Sequence, residues 1–93
     1  MLYMVIERYL AGPGRVYERA ASHGRMLPDG LAYIDSWVVD GSLDRCFQLM
    51  ETDDPALFEV WTRRWHDLVE FEVFPVVTSA DAAVRFTTKA PTE

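Results

Sequence analysis

Breaker clusters at Gly12-Pro13-Gly14, Leu27-Pro28-Asp29-Gly30, Asp40-Gly41-Ser42 and Asp53-Asp54-Pro55 cut this chain into segments that each suit one strand or one short helix. Residues 2–10 alternate as a strand, with Met4, Ile6 and Arg8 on one face and Tyr3, Val5, Glu7 and Tyr9 on the other. Over 15–27 the spacing changes: Val16, Ala20, His23 and Leu27 recur at helical intervals, and Gly24 weakens the end of that helix. Residues 31–39 and 45–52 read as two strands joined through Asp40-Gly41, whose residues accept the positive φ of a hairpin turn. Asp54 before Pro55 is a natural helix start. The helix that follows places Leu57, Trp61, Trp65 and Leu68 on one stripe, widened by Phe58. Residues 69–77 give a fourth strand with Pro75 near its end, and 79–86 a short terminal helix capped by Ser79. The expected organisation is one α+β domain over 1–86 and a tail over 87–93.

The order β-α-β-β-α-β suggests the ferredoxin-like arrangement, a four-stranded antiparallel sheet with both helices on one face. Alternation then divides the strands. If Met4, Ile6, Ile34, Val38, Phe47, Leu49, Phe71 and Val73 meet the helices, the bare face carries Tyr3, Val5, Glu7, Tyr9, Tyr33, Asp35, Trp37, Cys46, Gln48, Met50, Glu70, Glu72 and Phe74. So large an exposed apolar surface calls for a cover, and a second copy of the chain is the simplest one. A homodimer is therefore expected.

Tyr3, Glu7, Tyr33, Asp35, Trp37, Gln48, Met50, Glu70 and Glu72 are the candidates for a ligand pocket or a dimer face. Glu70 and Glu72 stand two apart on one strand, about 6.7 Å between α-carbons, and the first strand runs beside them. Buried carboxylates need water, an Arg partner or a function. Glu70 and Glu72 are accordingly the candidate general bases if the protein is an enzyme. His23 lies on its helix's apolar stripe and reads as packed or capping; His66 falls in a last helical turn, where the dipole favours a cation. Cys46 reads as a small buried hydrophobe. No dinucleotide fingerprint, phosphate loop, zinc motif or calcium loop occurs, so no cofactor and no metal are expected.

Composition excludes some partners. A net charge of −6 disfavours nucleic acid and anionic membrane surfaces, which require clustered Lys and Arg. The apolar start, residues 1–6, is interrupted by Glu7 and Arg8 and lacks the features of a signal peptide or a membrane span. One cysteine makes no internal disulfide, so the cytoplasm is the expected compartment.

The run Phe47-x-Leu49-x-Glu51-Thr52-Asp53-Asp54-Pro55, then Trp65, Leu68 and Phe71-Glu72-Val73-x-Pro75-Val76, carries a resemblance. Together with Tyr3-Met4-Val5, and with Leu27-Pro28-x-Gly30 ahead of a strand ending in Trp37, it resembles a small bacterial family known as domain of unknown function 3303. The resemblance implies a ferredoxin-like subunit that pairs through its sheet into a dimeric α/β barrel, and it brings no assigned reaction. Two functions stay open. One is a homodimer that binds a small molecule or is purely structural. The other is a cofactor-independent monooxygenase or isomerase for an aromatic or polyketide-like substrate in the barrel interior. In that case Tyr33, Trp37 and Gln48 orient the substrate, and Glu70 or Glu72 acts as base.

Overall fold

The computed structural model describes residues 1–89. Among these, β1 (Leu2–Tyr9), α1 (Pro13–His23), β2 (Ala32–Val38), β3 (Arg45–Glu51), α2 (Ala56–Arg63), β4 (Val69–Val76) and α3 (Ser79–Lys89) follow in turn. The strands form one antiparallel sheet in the order β2-β3-β1-β4, the ferredoxin-like arrangement expected from the order of elements. Local chemistry accounts for the boundaries. Pro13 opens α1, where its missing N–H has no helical partner to lose, and Gly24 closes it at φ 67°. The Asp54 carboxylate accepts the Ala56 amide at the start of α2. For α3 the cap is Thr78 rather than Ser79: the Thr78 hydroxyl accepts the Asp81 amide at 3.0 Å. That helix runs through Lys89, so residues 87–89 of the expected tail are helical, and residues 90–93 lie outside the described residues.

The core lies between the sheet and α1 and α2. Val5, Met50 and Trp61 are almost completely buried there. Tyr3 meets Phe58 edge-on with ring centroids 5.0 Å apart, and Trp61 meets Phe71 at 5.3 Å. This corrects the expected faces. Tyr3, Val5, Glu7, Tyr9, Cys46, Gln48 and Met50 lie under the helices, while Met4, Ile6, Phe47 and Leu49 lie on the open face. Val38, Phe71 and Val73 do pack against the core as expected. The pleat dictates which residues share a face; the bulky partners available on α2 decide which face is covered.

The edge strand β2 departs from simple alternation. Tyr33 pairs with Met50 and Asp35 with Leu49, so Ile34 is an extra residue. The bulge puts Tyr33 and Ser36 on one side of the sheet, with their hydroxyls 2.7 Å apart. Beyond it Trp37 pairs with Phe47 on the open face and is 53% exposed. Ile34 and Phe74 are exposed as well. Helix α3 leaves the body of the protein: residues 79–88 are all exposed, Val84 and Phe86 included. No helix of the described residues is long and apolar enough to cross a membrane.

Candidate functional site

The covered face carries a polar cluster within the apolar core. Strand period forces Glu7 inward, because it shares its face with Val5 and Tyr9. It is only 5% exposed. Cys46 is its direct partner across the β1–β3 ladder, and Gln48 is the next inward residue on β3. The Gln48 side-chain amide donates to Glu7 Oε2. On its other end, Gln48 Oε1 accepts Arg25 Nε at 3.4 Å. The Arg25 guanidinium lies 3.5 Å over the Tyr33 ring, a stacked cation–π contact. Glu7, Gln48, Arg25 and Tyr33 thus form one connected chain across three strands and the α1–β2 connection.

Arg25 reaches that position through two features of its backbone. Gly24 at φ 67° and Met26 at φ 58° both adopt the left-handed region and turn the chain back after α1. The Arg25 carbonyl then accepts both the Trp61 and the Trp65 indole N–H groups, at 2.9 and 3.0 Å. Arg64 Nη1 donates to the Met26 carbonyl at 2.7 Å. Three side chains after the start of α2 therefore anchor the connection that presents Arg25. Arg19 reinforces the same region: it pairs with Asp67, holding that carboxyl down at about 2, and stacks on Trp65.

Above the cluster lies a cleft of about 310 Å³. Its walls are Val16, Tyr17 and Ala20 of α1, Val38 of β2, and Trp61 and Trp65; Glu7, Cys46 and Gln48 form its polar floor. Exposed Tyr17 and Arg25 stand at its rim. Burial sets the floor's protonation. It pushes the Glu7 carboxyl up from its ordinary range to about 7, against the lowering effects of the Gln48 hydrogen bond and the Arg25 charge. Burial and then the Glu7 charge push the Cys46 thiol up to about 11, and burial likewise raises the Tyr9 phenol. Near neutral pH the cleft lining holds a protonated Cys46 thiol, a protonated Tyr9 phenol and a Glu7 carboxyl poised between its two forms. A thiol in that state is a poor nucleophile.

The expected candidates separate into three places. Glu7, Tyr33 and Gln48 meet at or beside the cleft. Tyr3 and Met50 belong to the packed core. Asp35, Trp37, Glu70 and Glu72 lie exposed on the far side of the sheet, where Glu70 pairs with Arg8. Glu70 and Glu72 therefore do not join Glu7, because the register sets Glu7 opposite Phe71, between them but on the other face. His23 is exposed rather than packed, and His66 lies past the end of α2, its Nδ1 2.7 Å from the Arg63 carbonyl. The residue missed from the sequence is Arg25. The available signal was Glu7 itself, a lone carboxylate in an otherwise apolar inward row.

The family model described as Domain of unknown function (DUF3303) matches residues 1–89. No curated protein and no solved structure matches the chain.

Proposed function

The chain belongs to the DUF3303 family, whose description states no activity, and on that footing we propose that it binds a small, mainly apolar molecule in the cleft beneath α1. One observation carries this reading. Glu7 is almost wholly buried, yet among the described residues no group donates to its second oxygen, and the cleft lies directly above it. Among the described residues no sealed side-chain oxygen lacks a partner, so the second Glu7 oxygen opens onto the cleft, where a ligand can reach it. The cleft's volume falls at the lower end of the roughly 300–1,000 Å³ typical of small-molecule sites. The Trp61, Trp65, Val16 and Val38 walls suit an aromatic or branched body, and Glu7 and Arg25 suit one polar end.

Ligand-observed NMR with phenol, benzamide and phenylacetone tests the proposal. Binding to the native protein is expected, with loss of binding in Ala20→Phe, which fills the cleft from α1. Binding that survives the filled cleft overturns the reading, and so does a native protein that binds none of the three. The second result favours a purely structural role.

A second copy on the open face accompanies this reading. Trp37 and Phe74 are exposed there, and Ile34 is exposed at the bulge of the edge strand. A shallow depression on the same face gathers Arg8, Arg45, Glu70 and Glu72, so the face carries both signs of charge, which a two-fold pairing of identical faces can bring together. Sedimentation is expected to give a dimer at micromolar concentration. A stable monomer there removes the proposal. The buried free thiol of Cys46 supports a reducing compartment, the cytoplasm.

A further inference from the structure

We infer that the cleft is also a proton-transfer site, in which Glu7 removes a proton from the carbon beside a carbonyl group while Arg25 holds the carbonyl oxygen. The substrate class is a compact, largely apolar ketone that enolises. This rests on the binding reading above and adds chemistry to it.

Gln48 links the two groups. Its amide presents O=C–N–H to two groups at once: the oxygen accepts from Arg25 and the N–H donates to Glu7 Oε2. Reversing the amide would set its N–H against the guanidinium and its oxygen against the carboxylate, so the neighbours fix its orientation. Arg25 and Glu7 are therefore placed to bracket an acceptor and a hydrogen three bonds further along. A ketone presents the same pattern, O=C–C–H. Both residues have capacity left for a second such bridge. Arg25 Nη1 and Nη2 donate to no group among the described residues, and Glu7 Oε1 accepts from none. Stacking on Tyr33 and the anchored Arg25 carbonyl hold the guanidinium in place before any ligand arrives.

The step balances without a further reactant. The α-carbon C–H bond breaks and an O–H bond forms on Glu7. The C–H electron pair becomes the C=C bond of the enolate as the carbonyl π pair moves onto oxygen, beside Arg25. Return of the proton to either end of the enolate regenerates the ketone or releases the enol. Burial makes Glu7 a stronger base than a solvated carboxylate, since its carboxyl is pushed up to about 7. Its titratable and charged surroundings are Tyr9 on β1, Cys46 on β3, Tyr17 on α1 and Arg25 before β2; α2 brings the Trp61 indole, the turn after it the Trp65 indole, and β4 brings Phe71. Tyr9 and Cys46 keep their protons throughout the neutral range.

The experiment is deuterium incorporation at the benzylic carbon of phenylacetone in D2O, followed by proton NMR, with line broadening of the same ligand as the binding readout. Native protein is expected to accelerate exchange at least roughly 100-fold over buffer, with a midpoint near pH 7 and the faster limb above it, where Glu7 is ionised. Glu7→Gln should keep the broadening and return exchange to the buffer rate. Arg25→Met should lose at least roughly tenfold in rate. Gln48→Leu should move the midpoint upward, because it removes the hydrogen bond that favours the ionised carboxylate. Broadening without accelerated exchange overturns the proton-transfer inference and leaves the binding reading in place. Exchange that survives Glu7→Gln also overturns it. Absence of phenylacetone broadening in native protein overturns the proton-transfer inference, and the binding reading falls with it where phenol and benzamide also fail to bind.

Discussion

Glu7 and Glu70 lie on adjacent strands, one residue apart in register, and their circumstances are opposite. Glu7 points under the helices, is almost wholly buried, and has one neutral amide as its donor. Glu70 points to the open face, is about half exposed, and pairs with Arg8. One step of the pleat separates a carboxyl that water cannot reach freely from one that water surrounds. The same contrast holds for the tryptophans, with Trp61 buried in the covered core and Trp37 exposed on the open face. A side chain's identity says little here; the face it occupies decides whether it is buried or exposed.

Four substitutions probe that contrast. Trp61→Ala should be the most damaging, because it empties a buried ring site and leaves the Arg25 carbonyl with one indole donor instead of two. A loss of about 3–5 kcal/mol is expected from urea unfolding, and a loss below 1 kcal/mol would contradict the covered face as the core.

Glu7→Gln comes next and should stabilise the protein. The native carboxyl titrates near 7 in the folded chain against 4.5 as its ordinary value. Between those values the unfolded chain gives up its proton before the folded chain does, so native stability falls as pH rises from about 4.5 to 7 and levels off above. At about 1.4 kcal/mol per unit the total is about 3 kcal/mol. The amide variant should gain about that much at pH 8 and little at pH 4, seen as a flattened profile of unfolding free energy. An unchanged profile would place Glu7 in water after all.

Trp37→Glu tests the open face. If two copies meet there, sedimentation should show the dimer weakened by at least about 100-fold, roughly 2.7 kcal/mol. The unfolding free energy of the monomer should change by no more than about 0.5 kcal/mol. A dimer indifferent to the change moves the interface elsewhere. The smallest effect belongs to Glu70→Gln, which removes an exposed ion pair and should cost under about 1 kcal/mol, less at high salt.

Much of the fold was legible because its signals are local. Pro13, Gly24, Asp54 and Gly41 act within a few residues of themselves, and they mark the turns and helix ends where the structure has them. Strand β4 was legible for the same reason: Glu70 and Glu72 alternate with Phe71 and Val73, so only one face can be apolar. Strands β1 and β3 offer no such asymmetry. Met4 and Ile6 are as apolar as Tyr3 and Val5, and the choice between them depends on the rings that α2 supplies from more than fifty residues away. The bulge at Ile34 reverses the phase within β2 and carries Tyr33 to the cleft side, which strict alternation forbids. Arg25 was illegible for a different reason. Its place depends on a left-handed Met26 and on two indole donors after it in the chain, none of which leaves a mark in its own neighbourhood of the sequence.

The shared carbonyl of Arg25 gives the protein a light-based gauge of its own cleft. Indole emission responds to hydrogen bonding at Nε1, and both buried indoles hang from the one backbone oxygen whose residue lines the rim. If a molecule in the cleft draws the Arg25 side chain inward, the shift should reach that oxygen and change the fluorescence of Trp61 and Trp65 together. Trp37 lies on the opposite face, and Trp37→Phe removes its emission from the signal. The proposed binding can thus be tested with no label added to the chain.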